Sequence, residues 1–115
     1  MTYQRREDRE LCADLVKVHW KTENETIQSE WAILEDISPS GVCFEIERPI
    51  EPGTIVSLEF PADRCKARVV YCRYDEVEVK YFMGVEFEQG YRWSRSKFKP
   101  QHLLQFKLRK VGENR

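Results

Sequence analysis

Two groups of polar residues near the start of the chain could bind a ligand. Arg5 and Arg9 stand four residues apart in a polar segment, and Asp36, Ser38 and Gly41 lie in the turn sequence Asp-Ile-Ser-Pro-Ser-Gly. A guanidinium group offers a fork of N–H donors, a carboxylate accepts hydrogen bonds, and a hydroxyl does either. Each pattern also has a simpler interpretation, because a polar segment can solubilise a chain and an Asx-type turn often ends in glycine.

No set of residues forms a recognisable catalytic centre. The sequence contains no glycine-rich phosphate loop, nucleophile elbow or paired-histidine zinc motif. His19 and His102 are far apart, and the four cysteines form no Cys-x-x-Cys pair. We therefore expect a binding protein that is not an enzyme and that has no cofactor and no metal.

The net charge hides an asymmetry along the chain. The 115 residues include 19 Lys+Arg and 20 Asp+Glu, a formal charge of -1. Residues 1–91 hold 11 basic and 19 acidic groups, a net of -8, whereas residues 92–110 hold seven basic groups and no acid, a net of +7. The basic block could dock on an anionic surface, or it could be a solvated face balanced by the acidic remainder.

Hydropathy and cysteine placement bear on the compartment. The longest apolar runs have four residues, too few for a membrane span, and the N-terminus has no apolar signal core. Cys12, Cys43 and Cys72 lie in apolar segments, where cysteine usually acts as a small hydrophobic residue. These features predict a reduced, cytoplasmic protein without a membrane span.

Six segments alternate apolar and polar residues and predict strands over 13–20, 29–37, 41–47, 54–60, 65–74 and 77–87. Short strands separated by turns predict a mainly all-β fold, a six-stranded antiparallel β-barrel over residues 13–98. Residues 1–12 are expected to form a flexible N-terminal arm. Pro100 and the apolar face formed by Leu103, Leu104, Leu108 and Val111 predict a C-terminal helix over 99–112 that covers the barrel.

The two motifs, in this order, resemble those of the PilZ domain family. That family has an N-terminal Arg-x-x-x-Arg and a later [Asp/Asn]-x-Ser-x-x-Gly, and Arg5, Arg9, Asp36, Ser38 and Gly41 match all five positions. Residues 67–70 (Ala-Arg-Val-Val) and 83–87 (Met-Gly-Val-Glu-Phe) are similar to two family strands, with alanine replacing a usual glycine in the first. The resemblance extends over residues 3–110 and implies one PilZ domain.

The resemblance implies binding of cyclic di-GMP, a bacterial second messenger. Arg5 and Arg9 would contact phosphate and guanine, because a guanidinium pairs bidentately with either and stacks on a base. Asp36 and Ser38 would bind a guanine edge, and Gly41 would allow a positive φ or a close approach of the ligand. Further candidates are Arg6, Tyr71 and Arg73, and the family relates the residue at Gln4 to whether one or two ligand molecules bind.

The implied mechanism is an ordering switch. Clustered arginines would keep the arm mobile until the ligand ties it to the Asp36–Gly41 turn and creates a surface for a downstream effector protein. Two alternatives stay open. One is a PilZ-like adaptor that binds a protein without nucleotide, and the other is a small barrel that binds nucleic acid through residues 92–110, with Trp93 and Phe98 stacking on bases.

Overall fold

The computed structural model describes residues 9–102, which form seven strands and no helix. In chain order the strands are β1 (Glu10–Leu11), β2 (Leu15–Lys21), β3 (Ile27–Ser38), β4 (Gly41–Ile46), β5 (Ile55–Glu59), β6 (Arg64–Asp75) and β7 (Lys80–Phe87). All six strands that alternation predicts are present, as β2 to β7. The seventh, β1, has two residues and is too short to produce a sequence pattern.

Six strands close into an antiparallel barrel. They are ordered β3-β2-β5-β6-β7-β4, and β4 pairs back with β3 to complete the ring. β1 extends the sheet beside the end of β3, where Leu11 lies opposite Asp36. The prediction of a mainly β, six-stranded antiparallel barrel is confirmed.

The barrel interior holds the apolar side chains of the alternating pattern. In β2, Val16 and Val18 are completely buried, whereas the residues that alternate with them, Lys17 and His19, face outward. The largest fully buried side chains come from four other strands and are Leu34, Ile37, Phe44, Leu58 and Met83. Removal of this apolar surface from water provides the main driving force for folding, and it fixes which face of each strand points outward.

The sheet begins earlier than the sequence predicts. β1 starts at Glu10, the Cys12 amide donates to the Glu35 carbonyl at 3.0 Å, and the Cys12 side chain is buried. Residues 10–12, assigned by the sequence to the arm, are therefore part of the packed domain because their backbone groups pair with β3. Residues 1–8 of the predicted arm lie outside the described residues.

The predicted C-terminal helix has no helical turn within residues 99–102. There the Asp14 carboxylate accepts hydrogen bonds from the amides of Gln101 at 2.6 Å and His102 at 2.7 Å, and the Ala13 amide donates to the His102 carbonyl at 3.0 Å. The remainder of that prediction, residues 103–112, lies outside the described residues. Residues 9–102 contain no helix with the length and apolarity to cross a membrane.

The β6–β7 connection also differs from the prediction, which starts the last strand at Val77. β7 starts at Lys80, and one Asp75 carboxylate oxygen accepts hydrogen bonds from the amides of Val77 and Glu78, both at 2.9 Å. Val79 has a φ of 59°. The Asp75 side chain thus stabilises a four-residue turn that leaves Val77 88% exposed, although its valines read as strand residues in the sequence.

Candidate functional site

A guanidinium–carboxylate pair joins the two sequence motifs. Arg9 Nη1 donates to Asp36 Oδ1, and only 23% and 14% of the two side chains are exposed. β1 positions this contact, because Leu11 pairs with Asp36 and carries Arg9 alongside the end of β3. Charge-assisted hydrogen bonds of this kind are stronger than neutral ones, so the pair fixes Arg9 against the outer wall of the barrel.

A β-bulge in β3 turns Asp36 outward. Leu34 pairs with Phe44 and Asp36 pairs with the preceding residue of β4, Cys43, which leaves Glu35 as the extra residue. In a regular strand, Asp36 would share the inner face with Leu34. The bulge instead places both Glu35 and Asp36 outside the core and returns Ile37 to the interior.

A second bulge, in β6, does the same for Tyr71. Val69 pairs with Val85, and Tyr71 pairs with Gly84, so that Val70 is the extra residue. Val69 is buried, whereas Val70 and Tyr71 are exposed. Tyr71 therefore lies on the outer wall of the barrel, although strict alternation after Val69 would direct it inward.

The two bulges align one row of residues across four neighbouring strands. Asp36 of β3 pairs with Cys43 of β4, Cys43 pairs with Gly84 of β7, and Gly84 pairs with Tyr71 of β6. The Tyr71 hydroxyl lies 3.4 Å from Cys43 Sγ, which is 3.5 Å from Arg9 Nη1. With strands about 4.8 Å apart, the row is about 14 Å long.

Gly84 allows the Tyr71 ring to lie flat over β7. A Cβ atom at Gly84 would come within 2.3 Å of Tyr71 Cε2, far inside van der Waals contact. Any side chain at this position would push the ring away from the sheet. Gly84 and the β6 bulge together fix the position of the tyrosine.

The turn between β3 and β4 is held by its own side chain and by a glycine. Ser38 is buried, and its hydroxyl donates to the Gly41 carbonyl at 3.2 Å. A Cβ atom at Gly41 would lie 2.1 Å from the Val85 carbonyl oxygen of β7. The sequence suggested that Gly41 provides either a positive φ or room for a close approach of the ligand. Gly41 has no positive φ, and it is the β7 backbone that approaches it closely.

A cavity of about 350 Å³ opens beside this row. It lies within the volume range of small-molecule sites. Its charged lining residues among those described are Arg9 and Glu86; the others include Ser38, Gly41, Cys43, Tyr71 and Gly84. The cavity therefore combines a guanidinium, an aromatic face and a tight backbone turn, groups that suit a planar and anionic ligand.

Two ionisable groups of the site have displaced pKa values. Partial burial of the side chain, aided by the hydrogen bond with Cys43, raises the pKa of the Tyr71 phenol to about 12, so the hydroxyl stays protonated at neutral pH. Burial and a hydrogen bond with Glu45 raise the pKa of Glu35 to about 7. The carboxyl group of Glu35, the extra residue of the β3 bulge, therefore titrates near neutral pH.

The structure separates the predicted site residues into three groups. Arg9, Asp36, Ser38, Gly41 and Tyr71 meet around the cavity and its turn. Arg73 is not among the residues described as lining it: its guanidinium lies 5.0 Å from the Phe82 ring centroid and 3.9 Å from the Asp75 carboxylate. Gln4, Arg5 and Arg6 lie outside the described residues.

Cys43 and Gly84 are among the cavity residues that the sequence did not predict. Cys43 alternates with Glu45 and Glu47 on the polar side of β4, which is a signal that it faces outward. Its contacts with Arg9 and Tyr71 depend on β4 lying between β3 and β7, which a one-dimensional pattern does not specify. The role of Gly84 likewise depends on the Tyr71 ring of β6, which lies against it.

His19, the four cysteines and the acidic side chains are the other groups that could react or bind a metal. His19 lies 2.6 Å from the Ser29 hydroxyl and 2.9 Å from a Glu59 carboxylate oxygen. All four cysteines are free thiols. Within residues 9–102, no group of three or more His, Cys, Asp and Glu side chains is arranged to hold a metal ion.

The nucleic-acid interpretation of the basic block loses its stacking groups. Trp93 is only 4% exposed, and its indole donates to the Phe98 carbonyl at 3.0 Å. The Phe98 ring packs 4.9 Å from Phe60. Arg95 donates two hydrogen bonds to Glu10, at 2.8 and 2.9 Å. The prediction that Trp93 and Phe98 present exposed stacking surfaces is wrong, because both aromatic rings pack against the core.

The fold and the candidate site define a small β-barrel domain with a ligand-sized cavity on its outer wall. A family model described as the PilZ domain matches residues 3–93. The chain therefore belongs to the PilZ domain family, which confirms the resemblance drawn from the two motifs. None of the curated proteins matches the chain by sequence.

Solved structures with the same fold include PilZ proteins. The PilZ domain with c-di-GMP of YcgR from Escherichia coli has a TM-score of 0.54 at 12% identity, covering 97% of this chain and 96% of that one. The K. pneumonia MrkH–c-di-GMP complex has a TM-score of 0.59 at 12% identity, covering 99% and 55%. A second MrkH structure, described as a c-di-GMP-dependent transcription regulatory factor, has a TM-score of 0.52 at 13% identity, covering 96% of this chain and 52% of that one. This chain thus spans about half the length of MrkH.

Proposed function

We propose that this protein is a receptor for cyclic di-GMP that binds the nucleotide in the cavity beside Arg9 and Tyr71. The observation that carries the proposal is the Arg9–Asp36 pair, which joins the two sequence motifs and includes a lining residue, Arg9, of a cavity of about 350 Å³. Membership of the PilZ family supports it, as do the c-di-GMP complexes formed by YcgR and MrkH.

The chemistry of each group suits this ligand. The Arg9 guanidinium can pair with a phosphate or with guanine O6 and N7. Asp36 accepts hydrogen bonds from the donor edge of guanine, and the Tyr71 ring stacks on a base. Because the Ser38 hydroxyl donates to the Gly41 carbonyl, its contribution to the ligand is through its lone pairs and the shape of the turn.

Calorimetric titration with cyclic di-GMP tests the proposal. We expect saturable heat with the wild-type chain, and a loss of affinity of about tenfold to a hundredfold in Arg9→Ala and in Asp36→Ala, since each removes charge-assisted hydrogen bonds. Arg64→Ala is the matched control, because Arg64 stands four residues before Arg68 in the same spacing as the motif but lies on β6 away from the cavity. No heat with the wild-type chain would refute the receptor function, and equal losses in all three variants would refute the site.

The charge of the cavity supports a role for the arm. Its described lining holds one guanidinium and one carboxylate, those of Arg9 and Glu86, whereas cyclic di-GMP brings two phosphodiesters. Arg5 and Arg6 are the nearest further cations along the chain. In this mechanism the ligand draws them to the Asp36–Gly41 turn, and the resulting surface signals to an effector protein.

Limited trypsin digestion tests the ordering step. Ligand at saturation is expected to slow cleavage after Arg5 and Arg6 severalfold, because an arm held on the barrel enters the protease less readily. Cleavage after Lys66 or Arg68 in β6 provides the internal control. An unchanged rate at Arg5 and Arg6, in a chain that calorimetry shows to be saturated, would refute ordering while leaving ligand binding intact.

A further inference from the structure

The outer face of β2 and β3 carries an apolar patch that the proposed ligand site does not use. Leu15 pairs with Ile33, and Lys17 pairs with Trp31 two residues further along the two strands. We name Leu15, Trp31 and Ile33 the Trp31 patch; their exposed fractions are 56%, 58% and 38%. Of the three tryptophans, Trp31 alone is exposed, and an exposed indole beside two aliphatic side chains is typical of a contact surface.

Two cavities flank the Trp31 indole. The first, of about 430 Å³, lies between Leu15, Trp31, Phe60 and His102. The second, of about 450 Å³, lies on the side of Ile33 and continues toward β4. The indole therefore stands as a ridge between two hollows, a shape that can accommodate a segment with several apolar side chains.

The described chain ends at the first of these cavities. The Asp14 carboxylate, one residue before Leu15, fixes the amides of Gln101 and His102, and the Ala13 amide binds the His102 carbonyl. His102 itself lines the cavity opposite Trp31. The described part of the chain therefore ends beside the Trp31 patch.

The next nine residues have the composition and reach to cover the patch. Residues 103–111 read Leu-Leu-Gln-Phe-Lys-Leu-Arg-Lys-Val, with five apolar and three basic residues. Crossing from β2 to β4 requires about 10 Å, since neighbouring strands lie about 4.8 Å apart. Nine residues span about 13 Å even as a compact helix and more when extended, so the segment is long enough in either conformation.

Charge complementarity favours the same occupant. The two cavities are lined by the carboxylates of Asp14, Glu30, Glu45, Glu47 and Glu59 and by one ammonium group, that of Lys80. Three of these carboxylates have a basic partner: Glu45 pairs with Lys80 at 2.8 Å, Glu30 with Arg48 at 2.7 Å and Glu59 with Arg64 at 3.5 Å. The segment contributes Lys107, Arg109 and Lys110 and no acid. A basic and apolar segment anchored at this edge matches an acidic rim around an apolar centre.

We infer that residues 103–111 of the chain itself dock across the Trp31 patch, with their leucines and phenylalanine against the indole and their basic residues toward the acidic rim. The C-terminal segment then covers the outer wall formed by β2 and β3 and leaves the row from Asp36 to Tyr71 open. A surface that would otherwise be available for association is occupied by the chain's own end.

Acrylamide quenching of tryptophan fluorescence tests this inference in the full chain, with Trp31→Phe identifying the Trp31 signal. We expect Trp31 to be shielded in the wild type and its quenching constant to rise severalfold in Leu104→Asp/Leu108→Asp. Gln105→Asp is the matched control, because it adds the same charge to the same segment outside the apolar set. A wild-type constant already equal to that of a free indole would overturn the inference, as would shielding that grows with protein concentration, which indicates a second copy.

A reciprocal test alters the barrel side. Trp31→Glu is expected to increase the rate of tryptic cleavage after Lys107, Arg109 and Lys110 severalfold, because the segment loses its apolar contact. Val77→Glu is the control, since it introduces the same charge at a valine that is 88% exposed in the β6–β7 turn. Equal rates in the wild type and Trp31→Glu would contradict the inference, whatever the outcome of cyclic di-GMP titration.

Discussion

At the scale of single residues, the site depends on contacts between side chains that are distant in the sequence. Arg9 meets Asp36, and Cys43 lies between Arg9 and Tyr71 at 3.5 and 3.4 Å. Tyr71 in turn needs Gly84 beneath its ring. Arg9, Asp36 and Tyr71, which we propose as ligand contacts, are therefore held in place without a ligand, and such preorganisation lowers the entropy cost of binding.

Gly84→Ala is expected to weaken cyclic di-GMP binding by about tenfold while changing stability little. The added Cβ meets the Tyr71 ring at 2.3 Å, and a side chain can swing away where a backbone would have to move. The loss corresponds to one base-stacking contact, about 1–3 kcal/mol. Calorimetry of Gly84→Ala, Tyr71→Ala and the double variant measures the coupling between the two positions.

The double variant decides the interpretation. If the glycine acts through the tyrosine, Gly84→Ala costs nothing further in the Tyr71→Ala background. A full additional loss in that background would contradict the role assigned to Gly84. Gly41→Ala provides the contrast: its Cβ would meet the Val85 backbone carbonyl at 2.1 Å, so its main effect is a loss of stability of about 1–3 kcal/mol.

At the scale of strands and turns, the alternating pattern predicts what a repeating environment produces. The strands β2 to β7 follow from the period of two, because a barrel wall buries one face of each strand. The same pattern does not reveal the bulges. In β3, for example, two polar residues, Glu35 and Asp36, separate Leu34 from Ile37, and such a break in alternation also occurs where one strand ends and another begins. β1 is set by pairing with β3, and the start of β7 by the Asp75 turn, neither of which is periodic.

The site was predictable to the extent that it has a motif. Asp36, Ser38 and Gly41 form a local turn that the sequence contains in order, and Arg9 belongs to a recognisable spacing. Cys43 and Gly84 become site residues only when four strands align in one row. The pairing of β4 with β7 joins segments about 40 residues apart, so a local pattern does not specify which of their residues meet.

The β3 bulge predicts a pH dependence of stability. Burial and Glu45 raise the pKa of Glu35 to about 7, against an ordinary value of 4.5. The folded chain therefore keeps this proton where the unfolded chain has released it, so the contribution of Glu35 to the free energy of unfolding falls as pH rises from about 4.5 to about 7. Asp36 strengthens the effect and Arg73 opposes it.

Glu35→Gln removes this titration. We expect the variant to gain stability relative to wild type as pH increases through that window, measured by urea unfolding at its two ends. Glu76→Gln in the β6–β7 turn controls for the loss of an acidic group elsewhere. A difference between Glu35→Gln and wild type that stays constant with pH would disprove the protonation of Glu35 in the folded state.

At the scale of the whole molecule, the formal charge of -1 conceals two oppositely charged parts. Part of the basic block is balanced within the domain, where Arg95 pairs with Glu10, and part lies in the segment assigned to the Trp31 patch. In the proposed mechanism the arginines of the first nine residues bind the anionic ligand, since Arg9 is the one basic residue among the described residues that line the cavity. Distribution of charge, rather than its total, therefore determines where an anion binds.

The central claim is that cyclic di-GMP binds on the wall formed by β3, β4, β7 and β6. Backbone amide NMR during titration of the full chain tests it most directly, because each amide reports on its own position. We predict the largest shift changes at Ser38, Gly41, Cys43, Tyr71 and Gly84, with little change in β2 and β5 on the remaining wall. An unchanged spectrum at saturating ligand, or changes centred on β2 and β5, would contradict the claim.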